Sequence, residues 1–482
     1  MLKVGTIIKN CFLLLLFGSL LFLSGCTLQS NAVPPKPQGM LTLWSFFPNR
    51  DVDIVVRNYE NAHPNTEIVH TGYEFLALHP ALTERMAQGL GPDAAIITER
   101  ELPKFIKAGL IENLDKYDID LRELNDRPRI SVYDSEGHLY GIPIAHQTMA
   151  LCYNKTLVEQ PAATLDEWLQ QARNGTSIAI EPSFLNTMWG IGAYGGEFFD
   201  EENRFTLKTD DINLWLSWLK QARELPSVYL DPRRGVLFNL FATGEIAYFP
   251  CWTFEYIPLQ EQMEDKLAVT VLPRSQRSPA KPQLETDVIV LNRHTTAAKK
   301  ALALSFAKFL IQPTQQLALI SGKEHTITPV HPQTRVDDRL LPRISVFKES
   351  ADRAVAFPMS DLYNTDRLRY YGDIAYTRVL QGQLLPRVGA QNILKFVKNP
   401  PPDEAIAVSA SASSEEVQEQ VVVDVKPNLN YIWQLVRIQG EILKRPYILV
   451  QLFFVILILL AAWRINRPLA QWLKNLLTRY LG

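Results

Sequence analysis

From Met40 to Gly109, short apolar runs alternate with amphipathic stretches, and that alternation limits the chain to few architectures. Met40 to Trp44 reads as a strand, Val52 to Ala62 as a helix, and Thr66 to Tyr73 as a strand entered through the turn-forming His63-Pro64-Asn65. Leu82 to Gln88 reads as a helix, Asp93 to Ile97 as a buried strand, and Glu99 to Lys107 as a helix closed by Gly109. Such alternation predicts a parallel α/β sheet with a ligand crevice beyond the carboxyl ends of the strands. The stretch from about Gly39 to Pro400 exceeds a single core, which rarely grows past roughly 250 to 300 residues, so two lobes are expected.

The ends of the chain carry segments foreign to such a body. Lys3 and Lys9 precede an apolar run from Cys11 to Leu23, followed by Ser24-Gly25-Cys26. Residues 1–25 are therefore expected to be a lipoprotein signal peptide, with lipid on Cys26, and residues 26–38, which include Asn31 to Gln38 (NAVPPKPQ), a proline-rich stalk. Tyr447 to Trp463 is apolar except for Gln451 and is flanked by Lys444, Arg445 and Arg464, which predicts a transmembrane helix. Between body and membrane come a polar linker (399–428) and a juxtamembrane helix (429–446). Residues 464–482 form a basic amphipathic tail, with Leu469, Trp472, Leu473 and Leu476 at helical spacing. Together these segments place the body outside the cytoplasm, in the periplasmic space of a bacterial envelope, tied to the inner membrane.

Hydrophobic residues make up 47% of the chain and the formal net charge is -2, so nucleic acid, which needs a clustered basic face, is excluded as a partner. No G-x-S-x-G, H-E-x-x-H, P-loop or zinc spacing occurs, and neither metal nor cofactor is expected. Of the four cysteines, Cys152 and Cys251 remain in the body. They read as two buried free thiols, with pairing open in an oxidising compartment. Gly190, Gly192 and Gly195 spell G-x-G-x-x-G, the order that cradles a dinucleotide pyrophosphate. The nearest strand, Ser177 to Glu181, ends well before Gly190 and no helix opens at Gly195, so the spacing reads as coincidence and Gly195-Gly196 as a tight turn.

Residues 82–117 (LTERMAQGLGPDAAIITERELPKFIKAGLIENLDKY), 140–160 (YGIPIAHQTMALCYNKTLVEQ), Ala163 to Ala172 (ATLDEWLQQA), 241–252 (FATGEIAYFPCW) and the helix at 298–316 follow one another in a distinctive order. From about Leu41 to Phe396 they resemble the extracellular solute-binding proteins of ABC importers, the maltose-binding-like class. The resemblance implies a type II periplasmic-binding-protein fold of two lobes, each a mostly parallel sheet flanked by helices. Lobe one would take about 39–149 and 287–330, and lobe two about 153–285 and 333–398, with crossings near Met149 to Tyr153 and Asp287 to Leu291. It further implies closure of the lobes on a sugar or sugar-like solute, delivery to permease subunits, and no catalysis.

Sugars are gripped by flat aromatic faces and by side chains that hydrogen-bond hydroxyls. By resemblance, lobe one supplies Ser45, Phe46, Tyr73, Glu99, Arg100 and Gln147, and lobe two supplies Glu181, Phe184, Trp189 and Trp252. Trp252 is the foremost stacking candidate, whereas Trp215 and Trp218 read as packing on a helix from Asp211 to Ala222. The family's Gly-Gly before the second crossing is replaced here by SPAKPQLETDVIVL (278–291), and the C-terminal span is an addition, read as a tether to the permease rather than a signalling device. Two other readings stand beside this one. A surface carbohydrate hydrolase would draw on Asp93, Glu99, Glu181 or Glu255, and a structural or sensor lipoprotein would keep the fold without a ligand.

Overall fold

Leu41, Leu43 and Ser45 turn into the core on alternate positions of β1 (Gly39–Ser45), while Val52, Val55, Val56 and Tyr59 line one stripe of the helix Asn49–Ala62 that covers the sheet. The computed structural model describes residues 37–401 except Asn125. Cys26 and the segments expected as signal peptide, juxtamembrane helix, transmembrane helix and tail lie outside the described residues, as does most of the linker. Among the described residues no helix is long and apolar enough to cross a membrane.

The remaining strands are β2 (Thr66–Gly72), β3 (Ala94–Thr98), β4 (Ile142–Gln147), β5 (Met149–Asn154), β6 (Ile178–Ile180), β7 (Val228–Leu230), β8 (Tyr248–Trp252), β9 (Leu267–Thr270), β10 (Gln283–Leu291) and β11 (Val355–Ala356). One sheet runs β11-β10-β3-β1-β2, with β4 also paired to β10; the other runs β7-β6-β8-β5-β9. Both are mixed rather than mostly parallel. β10 returns across the hinge antiparallel to β3 and β4, and β5 is antiparallel to β8 and β9. A strand that re-enters its sheet from the other lobe arrives in the opposite direction, which local sequence does not reveal.

The first passage between lobes is Thr148, which separates β4 in one sheet from β5 in the other. Asp287 to Leu291, expected as the second crossing, lies inside β10, which already pairs with β4 at Glu285; the crossing precedes Gln283. The hinge passages are tied together: Thr148 Oγ1 donates to the Gln283 carbonyl at 2.8 Å, and Ser350 Oγ to that of Met149 at 2.5 Å. The helix Pro342–Ala351 spans both lobes, with Ile344 in the first core and Phe347 in the second.

Lobe two is built around tryptophans. Trp189 lies 4.8 Å from Trp215, which stacks on Trp218 at 5.0 Å, and Trp168 stacks on Trp218 at 5.8 Å. Trp215 and Trp218 are packing residues of the helix Thr209–Arg223, as expected. The G-x-G-x-x-G belongs to this packing: Gly190 and Gly192 sit in the short helix Trp189–Ala193, and Gly195 follows it with φ +95°. Cys152 and Cys251, expected as free thiols, form a disulfide with a Cα–Cα distance of 5.7 Å. The antiparallel register of β5 on β8, Ala150 opposite Cys251 and Cys152 opposite Phe249, makes them diagonal neighbours.

Candidate ligand-binding site

The carboxyl ends of the strands gather the polar and aromatic groups, because there each chain leaves its sheet and its side chains stop being core. In lobe one, β1 ends at Ser45, whose buried hydroxyl accepts from the Phe47 amide at 3.0 Å and contacts His70 Nε2 at 2.7 Å. Burial holds His70 down at about 4, so the ring is neutral at physiological pH. Ser45 therefore shapes the loop. The rim is aromatic: Phe46 meets Phe75 edge-on at 5.2 Å, and Tyr73 packs on Trp44 at 4.9 Å. Phe75, 50% exposed at the start of the helix Phe75–Ala87, is absent from the sequence-derived set.

Next to this rim lies a buried acidic wall. Glu99 opens the turn after β3 and accepts the Thr286 amide at 2.6 Å. Arg100, half-buried, reaches Glu285 at 3.2 Å. Gln147 Nε2 donates to both carboxylate oxygens of Asp287, at 3.1 and 3.0 Å. Glu99 and Gln147 are thus each tied to β10 beside the hinge. Burial, then the neighbouring Glu285 carboxylate, pushes Glu99 up to about 8, and burial likewise raises Asp287. From lobe two, Asp366 of the helix Leu362–Leu380 lies in the field of Arg100 and Lys104, although burial is the larger influence and raises it.

The Glu99 shift fixes a pH response. Its folded pKa exceeds its unfolded value, so its contribution to stability is complete below about 4.5 and is lost as pH rises through about 8. Between pH 5 and 8 the wild-type free energy of unfolding should fall with a limiting slope of about 1.4 kcal/mol per pH unit from this group. Glu99→Gln should flatten that slope. Equal slopes in urea titrations of both proteins would mean that Glu99 ionises normally.

In lobe two, Phe184 and Trp189, assigned as ligand contacts from the sequence, are fully buried. Phe184 packs on Tyr376 and over Gly372, and Trp189 joins the tryptophan core. The segment after β6 turns into a helix that drives both rings inward. Glu181 remains at the crevice end of β6 but is engaged by Arg234 at 3.3 Å. Trp252, at the end of β8, is only 5% exposed. Phe254, two residues on, is 44% exposed and lies parallel to it, 13° between planes and 5.9 Å between centroids. Sequence reasoning missed Phe254, Asn186 and Arg234. The one available signal was a second aromatic at the start of the helix Thr253–Met263, where side chains leave the sheet.

The arrangement offers stacking surfaces and fixed polar groups in two lobes joined by a hinge. Glu181 and Glu255 grip one guanidinium and lack the mutual freedom of an acid–base pair. Residues 55–332 match the family described as bacterial extracellular solute-binding protein. The chain belongs to that family. Among its relatives, a maltotriose-binding protein of Pyrococcus abyssi is 28% identical over 178 residues, a match covering 34% of this chain and 38% of the Pyrococcus protein. An arabinooligosaccharide-binding protein of Bacillus subtilis is 22% identical over 65% of this chain and 78% of its own length. In fold, this solute-binding protein superposes on a cyclo/maltodextrin-binding protein complexed with maltotetraose with a TM-score of 0.62 at 18% identity, covering 74% of this chain and 96% of the other. A maltotriose-binding protein of Thermus thermophilus gives 0.57 at 18% identity, covering 74% and 99%. The sequence motifs had pointed to the same family.

Proposed function

We propose that this solute-binding protein captures a carbohydrate, most plainly an oligosaccharide, by closing its two lobes, and hands it to the permease of an ABC importer. The observation that carries the reading is the pair of aromatic rims, Phe46 with Phe75 in lobe one and Trp252 with Phe254 in lobe two, each at the strand ends where its sheet meets the crevice. Aromatic faces stack on the apolar faces of pyranose rings, and the half-buried Arg100 and the tyrosine hydroxyl of Tyr73 are suited to hydroxyl groups. The oligosaccharide-binding relatives support the same class. Lipid on Cys26 and the apolar segment 447–463 would hold the protein beside its permease at high effective concentration.

A thermal-shift screen against maltotriose, maltotetraose, arabino-oligosaccharides, monosaccharides and polyols tests the reading. A ligand at 100 times its dissociation constant should stabilise the folded protein by about 2.7 kcal/mol. A shift with one oligosaccharide class is expected. Shifts confined to non-carbohydrate solutes would reassign the ligand, and consumption of the bound sugar would favour the hydrolase.

A further inference from the structure

The Trp252–Phe254 pair is held by a network that none of the sequence motifs announces. Arg234, at the start of the helix Arg234–Ala242, donates through Nε and one terminal nitrogen to the two oxygens of Glu255, at 2.7 and 2.5 Å. The same terminal nitrogen donates to the Pro250 carbonyl at 2.9 Å, and the other donates to Glu181 at 3.3 Å. Its plane also lies over the Phe249 ring, 4.7 Å from the centroid. One guanidinium thus joins the ends of β6 and β8 to the helix that carries Phe254.

Trp252 is tied at both ends, and Arg234 holds the partner of one of them. Its backbone amide donates to Glu255 Oε2 at 2.8 Å. Its indole Nε1 donates to Asn186 Oδ1 at 2.9 Å. Asn186 is fixed in turn: its side-chain amide donates to Ser183 Oγ at 3.0 Å, its backbone carbonyl accepts from the Trp189 indole at 3.0 Å, and the Ser183 amide donates to the Glu181 carbonyl at 2.9 Å. A ring tied at the backbone and at Nε1 has no freedom to swing, and Phe254 stacks upon it with its outer face exposed.

We propose that Arg234 is a positioning residue that fixes Trp252 through Glu255 at the backbone, while Asn186 holds the indole, so that Phe254 is presented to solute as the outer ring of a rigid stack. This rests on the carbohydrate reading of the crevice for its consequence, though not for its geometry. A lysine retains the charge but cannot reproduce a planar fork that engages two carboxylates and a carbonyl together. Rigid presentation of an aromatic face strengthens binding because no rotamer freedom is lost when the solute arrives.

The test uses the full chain labelled with 5-fluorotryptophan, with the Trp252 fluorine resonance assigned by Trp252→Phe among the nine tryptophans. Arg234→Lys and, as a milder change, Asn186→Ala should each move or broaden the Trp252 resonance without ligand. Both should weaken maltotriose binding tenfold or more, and so should Phe254→Ala, which also moves the Trp252 resonance because it removes the ring stacked on it. Leu169→Ala, a cavity in the same lobe away from this network, should lower the melting temperature yet leave that resonance and the affinity alone. If Arg234→Lys does not fold, Arg234→Gln, which also removes the fork to Glu255, decides. An unchanged Trp252 resonance in the folded Arg234 variant would overturn the positioning role, and unchanged maltotriose affinity in Phe254→Ala would overturn the outer-ring role. If the wild type binds neither maltotriose nor any other oligosaccharide, the carbohydrate reading fails, and the outer-ring role with it; the fluorine spectra still decide whether Arg234 positions Trp252.

Discussion

Replacing Cys152 and Cys251 together by alanine should lower the stability of lobe two by about 4 to 5 kcal/mol, the loop-closure entropy associated with a cross-link between residues 99 apart in sequence. The disulfide closes a loop running from β5, through the tryptophan core, to β8. In the reduced unfolded chain that whole segment is free. Alanine is the informative substitution, because both positions are fully buried and a serine hydroxyl would add an unpaired polar group. Denaturant unfolding of wild type and variant, each with and without reductant, measures the effect. Reductant should destabilise the wild type about as much as the double substitution does. A wild-type body, residues 37–401, that reacts with thiol reagents when unfolded without reductant, and whose unfolding ignores reductant, would show that Cys152 and Cys251 are free.

The second large effect concerns Gly190→Ala. A Cβ built there meets three ring atoms of Trp215 at 2.2, 2.3 and 2.4 Å. The ring cannot retreat, since Trp215 is fully buried between Trp189 and Trp218. Overpacking of this kind typically costs 1–3 kcal/mol, and the absence of any slack places this case at or above about 3 kcal/mol. The melting temperature should fall sharply, while Gly195→Asn, at the left-handed position after the same helix, should fall much less, because asparagine tolerates positive φ and open space surrounds the site. Equal losses from both would mean that backbone freedom, not ring contact, explains the glycines. The nucleotide-like spacing at 190–195 therefore reflects a tryptophan seated against a helix.

Much of lobe one was legible because its strands alternate with helices whose buried positions repeat at helical spacing. Val52, Val55, Val56 and Tyr59 read as a helix face and are one. Sheet direction was not legible: β10 pairs with β3 and β4 through contacts more than 130 residues apart, and nothing within Gln283–Leu291 states which way it runs. The aromatic site residues divide for a related reason. Phe184 and Trp189 have the composition of stacking residues, but the turn after β6 buries them, whereas Phe254 lies outward because the first turn of its helix faces the crevice. Arg234 was invisible because its role depends on two carboxylates, 53 and 21 residues away in sequence, converging on one guanidinium.

Small-angle X-ray scattering of the described body, residues 37–401, with and without the oligosaccharide that gives the largest thermal shift, tests most directly the central claim that this protein captures a carbohydrate by lobe closure. Saturable binding accompanied by a smaller radius of gyration is the predicted result, since a ligand that favours the closed form must shift the population toward it. An unchanged scattering profile, together with no calorimetric heat from any oligosaccharide at millimolar concentration, would contradict it.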